Sequence, residues 1–487
     1  MASAVGSSAT TCRAEPVLAV NDGMRLGAAL LAFLLVVSAG GCRRIDNAVH
    51  VDGIRAQLES TPAWVERTAL GKRLWDVERE FYQGRGHNPA WIDGDRTTAH
   101  VKDLVQQFKY SEVHGLNPAR YPVYLFEEMR QQSQTRMGTR FDVMEVPELD
   151  AKLTYGYLLY AADLLGWSTS PVEISRTWRT QPRKDDLAKR LADAIASNRI
   201  RESLETLAPN HPQYQGLQAA LARERLVPDG KLDRILVNLE RWRWAPRDLG
   251  ERYVLVNVPG YVLQVMEGAT PVISMRVIVG KPDTPTPLFS DEMTYVVFSP
   301  YWNIPESILR DETLPRVASD PDFLDRNNIE VVATSGTIDP EDIDWTDESV
   351  TSKLRFRQRP GPDNALGLVK FIFPNHFDVY LHDTPGDRLF FRDRRALSHG
   401  CIRVEDPVRL AKYVLGDQPQ WTPAAISAAM QERQERTVTL KRKLPVHIGY
   451  WTAWVEPDGA VRFTDDPYRL DQVHIHRFHQ TRDISTW

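Results

Sequence analysis

At 487 residues, 42% hydrophobic and 26% charged, the chain can form roughly two to four domains with real cores, and it is neither a disordered nor a fibrous sequence. Its 60 basic residues against 65 acidic ones leave a net charge of −5. That balance is too even for a nucleic-acid-binding basic face and fits small-molecule or peptide substrates better.

The first element in chain order is an apolar run, MRLGAALLAFLLVVSAGGC from Met24 to Cys42, with Arg25 ahead of it and Ser38-Ala39-Gly40-Gly41 at its exit. This is a signal-peptide pattern, too short for a comfortable membrane span. With Cys42 directly after Gly41 it resembles a bacterial lipoprotein signal, in which Cys42 becomes the lipidated first residue of the mature protein. Ala39 departs from the leucine more usual three places before that cysteine, and simple secretion or an uncleaved anchor is the alternative. Met24 reads as a better start than Met1, since residues 1–23 put a polar segment ahead of the charged end of the signal. Residues 1–42 are therefore expected to be a signal, and the mature protein a membrane-anchored lipoprotein of the periplasm. Of three cysteines, Cys12 is then lost and Cys42 acylated, so Cys401 is a lone thiol in an oxidising compartment, with no disulfide partner. Such a thiol is either an inert core residue or a nucleophile.

Over 43–225 the apolar spacing is helical, as in AHVKDLVQQFKYSEVHGL, DAKLTYGYLLYAADLLG and DDLAKRLADAIASNRIRESLETLA, which predicts a helical scaffold. After Leu226 the period changes. RYVLVNVPGYVLQVMEGATPVISMRVIVGK alternates Val254, Val256, Val258, then Tyr261, Leu263, Val265, and predicts consecutive antiparallel strands. TYVVFSPYW, LVKFIFPN, FDVYLHD, VHIGYWTAWV and AVRFTD continue them. The fold class is α+β: a helical scaffold, a mainly β domain over 226–465 and a tail over 466–487. Residues 305–362 interrupt the strands with short helical patterns. An insertion of about sixty residues inside a β domain is more often functional than idle, so a helical cap over a site is expected.

Cysteine attacks a carbonyl as the thiolate, so it needs a group to take its proton and donors to receive the charge on the carbonyl oxygen. His382, at the end of the strand-like FDVYLH, and His399, two residues before Cys401, are the candidate bases; His382 is preferred because a rigid element projects it. Ser398-His399-Gly400 supplies a turn whose N–H groups can converge as an oxyanion hole. The bland alternative is a buried apolar cysteine beside a core histidine. His474, His476 and His479 could be read as ligands but lack a carboxylate pattern, so no metal and no cofactor is expected.

The string HDTP…SHGCIRV, with six consecutive matches from Ser398 to Arg403, resembles the signature of the L,D-transpeptidase (YkuD-type) catalytic domain, which cross-links bacterial peptidoglycan. NLERWRW, VIVGKPDTPTPLFS, SPYWNIPESIL, RQRPGPDNALGLVKFIFPN and YWTAWVEPDGAVRF resemble the YcbB-like branch, as do HGLNPARY and the Tyr-rich helix of the scaffold. Two departures stand out. The small peptidoglycan-binding domain usual before NLERWRW is missing, and Ser299 replaces an asparagine before Pro300.

The resemblance implies that Cys401 is the nucleophile and His382 its base, with Gly400 and Cys401 N–H groups as oxyanion donors. Tyr380, Ser398, His399 and Asp383 become substrate or relay contacts, and Trp302 lines the cleft. Arg403 either clamps a substrate carboxylate or pairs internally. The partners implied are donor and acceptor stem peptides and a membrane, with no nucleic acid. L,D-carboxypeptidase action, attachment of proteins to the wall, and a catalytically silent wall-binding scaffold are the competing readings.

Overall fold

A computed structural model describes residues 39–125, 144–224, 230–320, 322–334, 336–343 and 353–482. Met1, Met24 and the apolar run ahead of Ala39 lie outside the described residues. Cys42 falls in the first turn of α1 (Ala39–Gln57), with its side chain outside the description. Among the described residues no helix is long and apolar enough to cross a membrane.

After α1 come α2 (Ala69–Gly84), the hairpin β1 (Ile92–Asp93) and β2 (Arg96–Thr97), α3 (Ala99–Tyr110), α4 (Val146–Leu164), α5 (Pro171–Ile174), α6 (Leu187–Ser197), α7 (Ile200–Glu205), α8 (Pro212–Glu224) and α9 (Lys231–Arg243). α4 is buried almost all round because it runs through the middle of the scaffold, with α1, α2 and α3 laid against it. Its acidic residues have partners. Asp150 accepts from the N–H groups of Ala90, Trp91 and Ile92 and from the Tyr82 hydroxyl. Asp163 meets Arg120 at 2.7 Å, and the same guanidinium forks onto Glu66 at 3.0 and 3.1 Å. The helical stretch over 187–205 is broken at Asn198, whose φ of 55° ends α6.

The second half contains β3 (Arg252–Asn257), β4 (Val262–Glu267), β5 (Thr270–Gly280), β6 (Ser290–Phe298), β7 (Trp302–Asn303), then α10 (Glu306–Ile308), α11 (Leu314–Ser319), α12 (Phe323–Arg326), β8 (Ile329–Ala333), β9 (Gly336–Ile338) and β10 (Arg355–Gln358). It continues with β11 (Val369–Ile372), β12 (Leu381–His382), β13 (Ala396–Ser398), β14 (Ile402–Val404), α13 (Pro407–Val414), α14 (Pro423–Gln431), β15 (Arg436–Gly449), β16 (Ala453–Val455), β17 (Val461–Phe463) and α15 (Leu470–Arg482). The main sheet runs β13-β5-β14-β12-β11-β6-β15-β3-β4, and β4 pairs back onto β5, so the sheet closes around an apolar core. The alternating residues Val254, Val256, Leu263 and Val265 lie in that core.

Two regions differ from the sequence reading. The insertion has its short helices but also a four-stranded sheet, β7-β10-β8-β9, with a small core of its own around Val331 and Phe356. Strands of two to five residues leave too little alternation to read. The segment read as a tail forms α15, and its Asp471 bonds Arg241 of α9 at 2.7 Å and Thr452 at 2.9 Å. Asn238 bonds the same Thr452, so α9, the segment after β15 and the C-terminal helix share one buried polar network.

Replacing Arg120 by leucine strands two buried carboxylates, Glu66 and Asp163. A broken buried ion pair of this kind lowers stability by about 3 kcal/mol or more. Thermal unfolding of Arg120→Leu measures it, and an unchanged melting temperature contradicts it.

Candidate active site

Strand register builds the site. β12 lies between β11, which pairs Lys370 with His382, and the parallel strand β14, which pairs Leu381 with Ile402 and His382 with Arg403. Side chains alternate across a strand. Leu381 and Ile402 therefore both enter the core at 0% exposure, while Tyr380 and His382 stand beside Cys401 and Arg403. These four line a cavity of about 640 Å³ with Ser398, His399, Trp302, Asn303 and Pro305. The stretch entering the insertion thus forms one wall of the cavity.

The turn before β14 is held from several sides. Ser398 Oγ donates to the Cys401 carbonyl at 2.5 Å and accepts from the Gly400 N–H at 3.2 Å. Thr286 Oγ1 donates to the Gly400 carbonyl at 2.8 Å, and the Lys281 N–H donates to the Ser398 carbonyl at 2.9 Å. Gly400 has φ 120°, which side chains rarely adopt. Two expectations change here. Ser398 braces the turn, and Gly400, expected as an oxyanion donor, already gives its N–H to Ser398. His399 is turned to the insertion, with Nε2 2.7 Å from Glu312 and 3.4 Å from Lys281 Nζ.

Asp383, expected as a substrate contact, is not among the residues lining the cavity. Its carboxylate accepts from the N–H groups of Leu368 at 2.8 Å and Thr384 at 2.7 Å, tying the loop before β11 to the end of β12. Gly367 in that loop has φ 61°, and a Cβ there would come within 2.4 Å of the Asp383 side chain. The main chain of Asp383 orients the imidazole: its carbonyl lies 2.6 Å from His382 Nδ1. A carbonyl only accepts, so Nδ1 carries the proton and Nε2 keeps its lone pair.

Burial, then Arg403 on one side and more weakly Lys370 on the other, lowers the His382 pKa to about 3, so the ring is neutral at ordinary pH. Burial also pushes the Cys401 thiol up, opposed by the Tyr380 N–H and hydroxyl and by Arg403. The thiol points at the Asp378 carbonyl, 3.8 Å away. Arg403 is pulled down by burial, and its Nε meets no partner among the described residues. Lys370, Thr286, Lys281 and Glu312 were not singled out from sequence. They reach the site through register and loop packing, for which no local motif exists.

The C-terminal histidines do not converge. His474 meets Glu240 at 3.3 Å, His479 meets Asp233 at 3.0 Å, and His476 meets Gln480. Among the described residues no three potential metal ligands cluster.

Residues 251–448 match the L,D-transpeptidase catalytic domain family, and residues 76–221 match a scaffold domain family. A protein of Haemophilus influenzae described as "Putative L,D-transpeptidase" is 28% identical over 437 residues, covering 87% of this chain and 85% of that one. Among solved structures, an L,D-transpeptidase from Mycobacterium smegmatis is 12% identical with a TM-score of 0.19, covering 41% of this chain and 58% of that one. Mycobacterium tuberculosis L,D-transpeptidase 1 is 12% identical with a TM-score of 0.16, covering 41% and 60%. The β domain is an L,D-transpeptidase catalytic domain, set behind a scaffold domain. That domain and that relative support L,D-transpeptidase activity in this protein.

The depressed His382 pKa makes a testable statement. The unfolded chain protonates this ring as pH falls through about 6.5, whereas the folded one waits until about 3. The stability it contributes is therefore present above that window and is lost as pH falls through it. NMR titration should find the His382 imidazole neutral throughout the window, and Arg403→Gln should raise its midpoint. A native midpoint at the ordinary value contradicts this account.

Proposed function

We propose that this enzyme forms diaminopimelate–diaminopimelate cross-links in peptidoglycan through a thioester on Cys401, as part of cell-wall biogenesis. The observation that carries the reading is the register placing Cys401 and Tyr380 beside Arg403 and His382 in one cavity. His382 Nε2 takes the thiol proton as Sγ attacks the carbonyl of the third stem residue. The Cys401 N–H receives the oxyanion. The bond to the terminal D-alanine then breaks, its nitrogen takes the proton from the imidazolium, and a thioester remains. The side-chain amine of a second stem attacks that thioester, His382 takes the amine's proton, and the thiol is restored. The broken amide supplies the energy, so the reaction needs no nucleotide. Tyr380 steadies the thiolate: its hydroxyl bonds the Cys401 sulfur, and its own pKa is raised by burial and by that neighbour. Arg403, whose buried Nε has no partner among the described residues, suits a substrate carboxylate.

Incubation with tetrapeptide muropeptides followed by mass analysis tests the reaction. Cross-linked dimer with release of D-alanine is the expected product, whereas free tripeptide alone marks the hydrolytic alternative. Cys401→Ala should abolish both products with the fold intact. His382→Ala should reduce turnover by about 100-fold or more, the usual scale for a positioned base, and should be more damaging than His399→Ala. Equal loss in the two histidine variants contradicts the assignment.

The site of action in this proposal is the periplasm, with the protein held to a membrane by lipid on Cys42. The motivation is the Ser38-Ala39-Gly40-Gly41-Cys42 string behind an apolar run. Cys42→Ser should move the protein out of the membrane fraction. Recovery of both forms in the same fraction contradicts lipidation.

A further inference from the structure

Away from the catalytic cavity, the seam between scaffold and β domain holds two hollows that share Arg183, Pro246 and Arg247. The larger, about 730 Å³, is walled by Pro209, His211, Trp242, Tyr253 and the turn at Gly268. The smaller, about 240 Å³, is walled by Arg179, Thr180, Gln181, Lys184, Asp185 and Ser290. Gly268 and Ala269 precede β5, while Ser398 of the catalytic cavity pairs with Gly280 at its far end. The 11 residues of β5, roughly 35 Å of strand, lie between the two places.

The charge pattern calls for an anion. Arg183 is only 8% exposed; its Nη1 reaches the Leu164 carbonyl at 3.4 Å, and Nε and Nη2 meet no partner among the described residues. A buried guanidinium with unanswered donors is unfavourable, and an oxyanion is the group that satisfies its fork. Arg179, Lys184 and Arg247 stand around it and enter no ion pair among the described residues. The acids facing the hollows are engaged elsewhere. Asp185 is held by Arg190 at 2.6 and 2.9 Å. Glu205 takes Gln107 at 3.4 Å and lies 4.0 Å from Arg201, and Asp248 accepts from the Gly250 N–H at 2.8 Å. Burial, with Arg247 nearby, lowers Arg183 to about 10.

The walls are also preformed. Trp178 bridges to Leu288, the Arg179 N–H donates to the Leu288 carbonyl at 2.8 Å, and the Leu288 N–H donates to the Thr177 carbonyl at 3.0 Å. His211 is stacked on Trp242 with ring centroids 4.2 Å apart and bonds the Tyr253 hydroxyl. The basic loop is thus fastened to the β domain just ahead of β6.

We propose that the paired hollows are a second ligand site, which binds a carboxylate-bearing stem peptide of the wall polymer through Arg183 and Arg247. Arg179 and Lys184 flank the carboxylates, and the remainder of the peptide lies along His211 and Pro209. The identity of the ligand rests on the peptidoglycan reading above; the anion site rests on its own residues. Such a site lets the enzyme grip the polymer at a distance from the reacting stem, by charge that salt will weaken.

The test uses the full protein carrying Cys401→Ala, with calorimetric titration of a disaccharide-tetrapeptide muropeptide, the same muropeptide with amidated carboxylates, and inorganic phosphate. Binding of the first is expected, with at least tenfold weakening by Arg183→Met, by Arg247→Ala and by amidation. Arg247 is exposed, so its variant remains informative if Arg183→Met proves unstable. Unchanged affinity in Arg247→Ala and in a folded Arg183→Met overturns the site. Phosphate binding as tightly as the muropeptide overturns the peptide as its ligand. Acylation of Cys401 in the unsubstituted protein, read by intact mass, is a separate measurement. Its failure with binding retained removes the catalytic reading and leaves the anion site standing.

Discussion

The site depends on the parallel pairing of two very short strands, Leu381–His382 against Ile402–Arg403. A strand alternates its side chains, so a slip of one residue would send His382 into the core and Leu381 into the cavity. Burial therefore opposes a one-residue slip: Leu381 and Ile402 are fully covered in this register, while Cys401 and Arg403 face the cavity. So short a pairing could not hold itself. It is held because the sheet continues on both sides and closes through β4 and β5.

The same pairing sets the electrostatics. Lys370 and Arg403 occupy the positions beside His382 on either neighbour strand, so a charge on the imidazole is opposed from both sides as well as by burial. The insertion approaches this arrangement through a wide helical turn, Leu309–Thr313, which places Glu312 on His399. One short contact thereby joins the segment walling the cavity to the turn carrying the thiol. Farther away, Arg241, Asn238, Thr452 and Asp471 lock α9 and the C-terminal helix to the same domain through buried polar groups.

Much of the architecture was legible in the sequence. The change of period after Leu226 marks where helices give way to strands, and the hydrophobic alternation through Val265 follows the sheet that forms. The string around Cys401 also held the residues that gather in the cavity, Tyr380, His382 and Arg403 among them. What was not legible is whatever depends on partners distant in sequence. Ser398 and Asp383 look like substrate contacts in a motif, yet both are tied to backbone groups, and only the folded turn reveals the acceptors. Lys370 lies in an unremarkable strand, and its place beside His382 follows from register alone. The strands of the insertion are too short for their period to show, and α15 lacks an apolar stripe because Arg241 and Glu240 receive its polar residues Asp471 and His474.

The thiol of Cys401 is held in its protonated form by burial, and the neutral ring of His382 offers it no standing cation. Peroxides and other electrophiles react with thiolates far faster than with thiols, and repeated oxidation of a cysteine is irreversible. A resting thiolate–imidazolium pair would leave this sulfur open to such damage between turnovers. The environment here keeps it dormant, so the folded protein can meet an oxidant between turnovers and retain an intact sulfur.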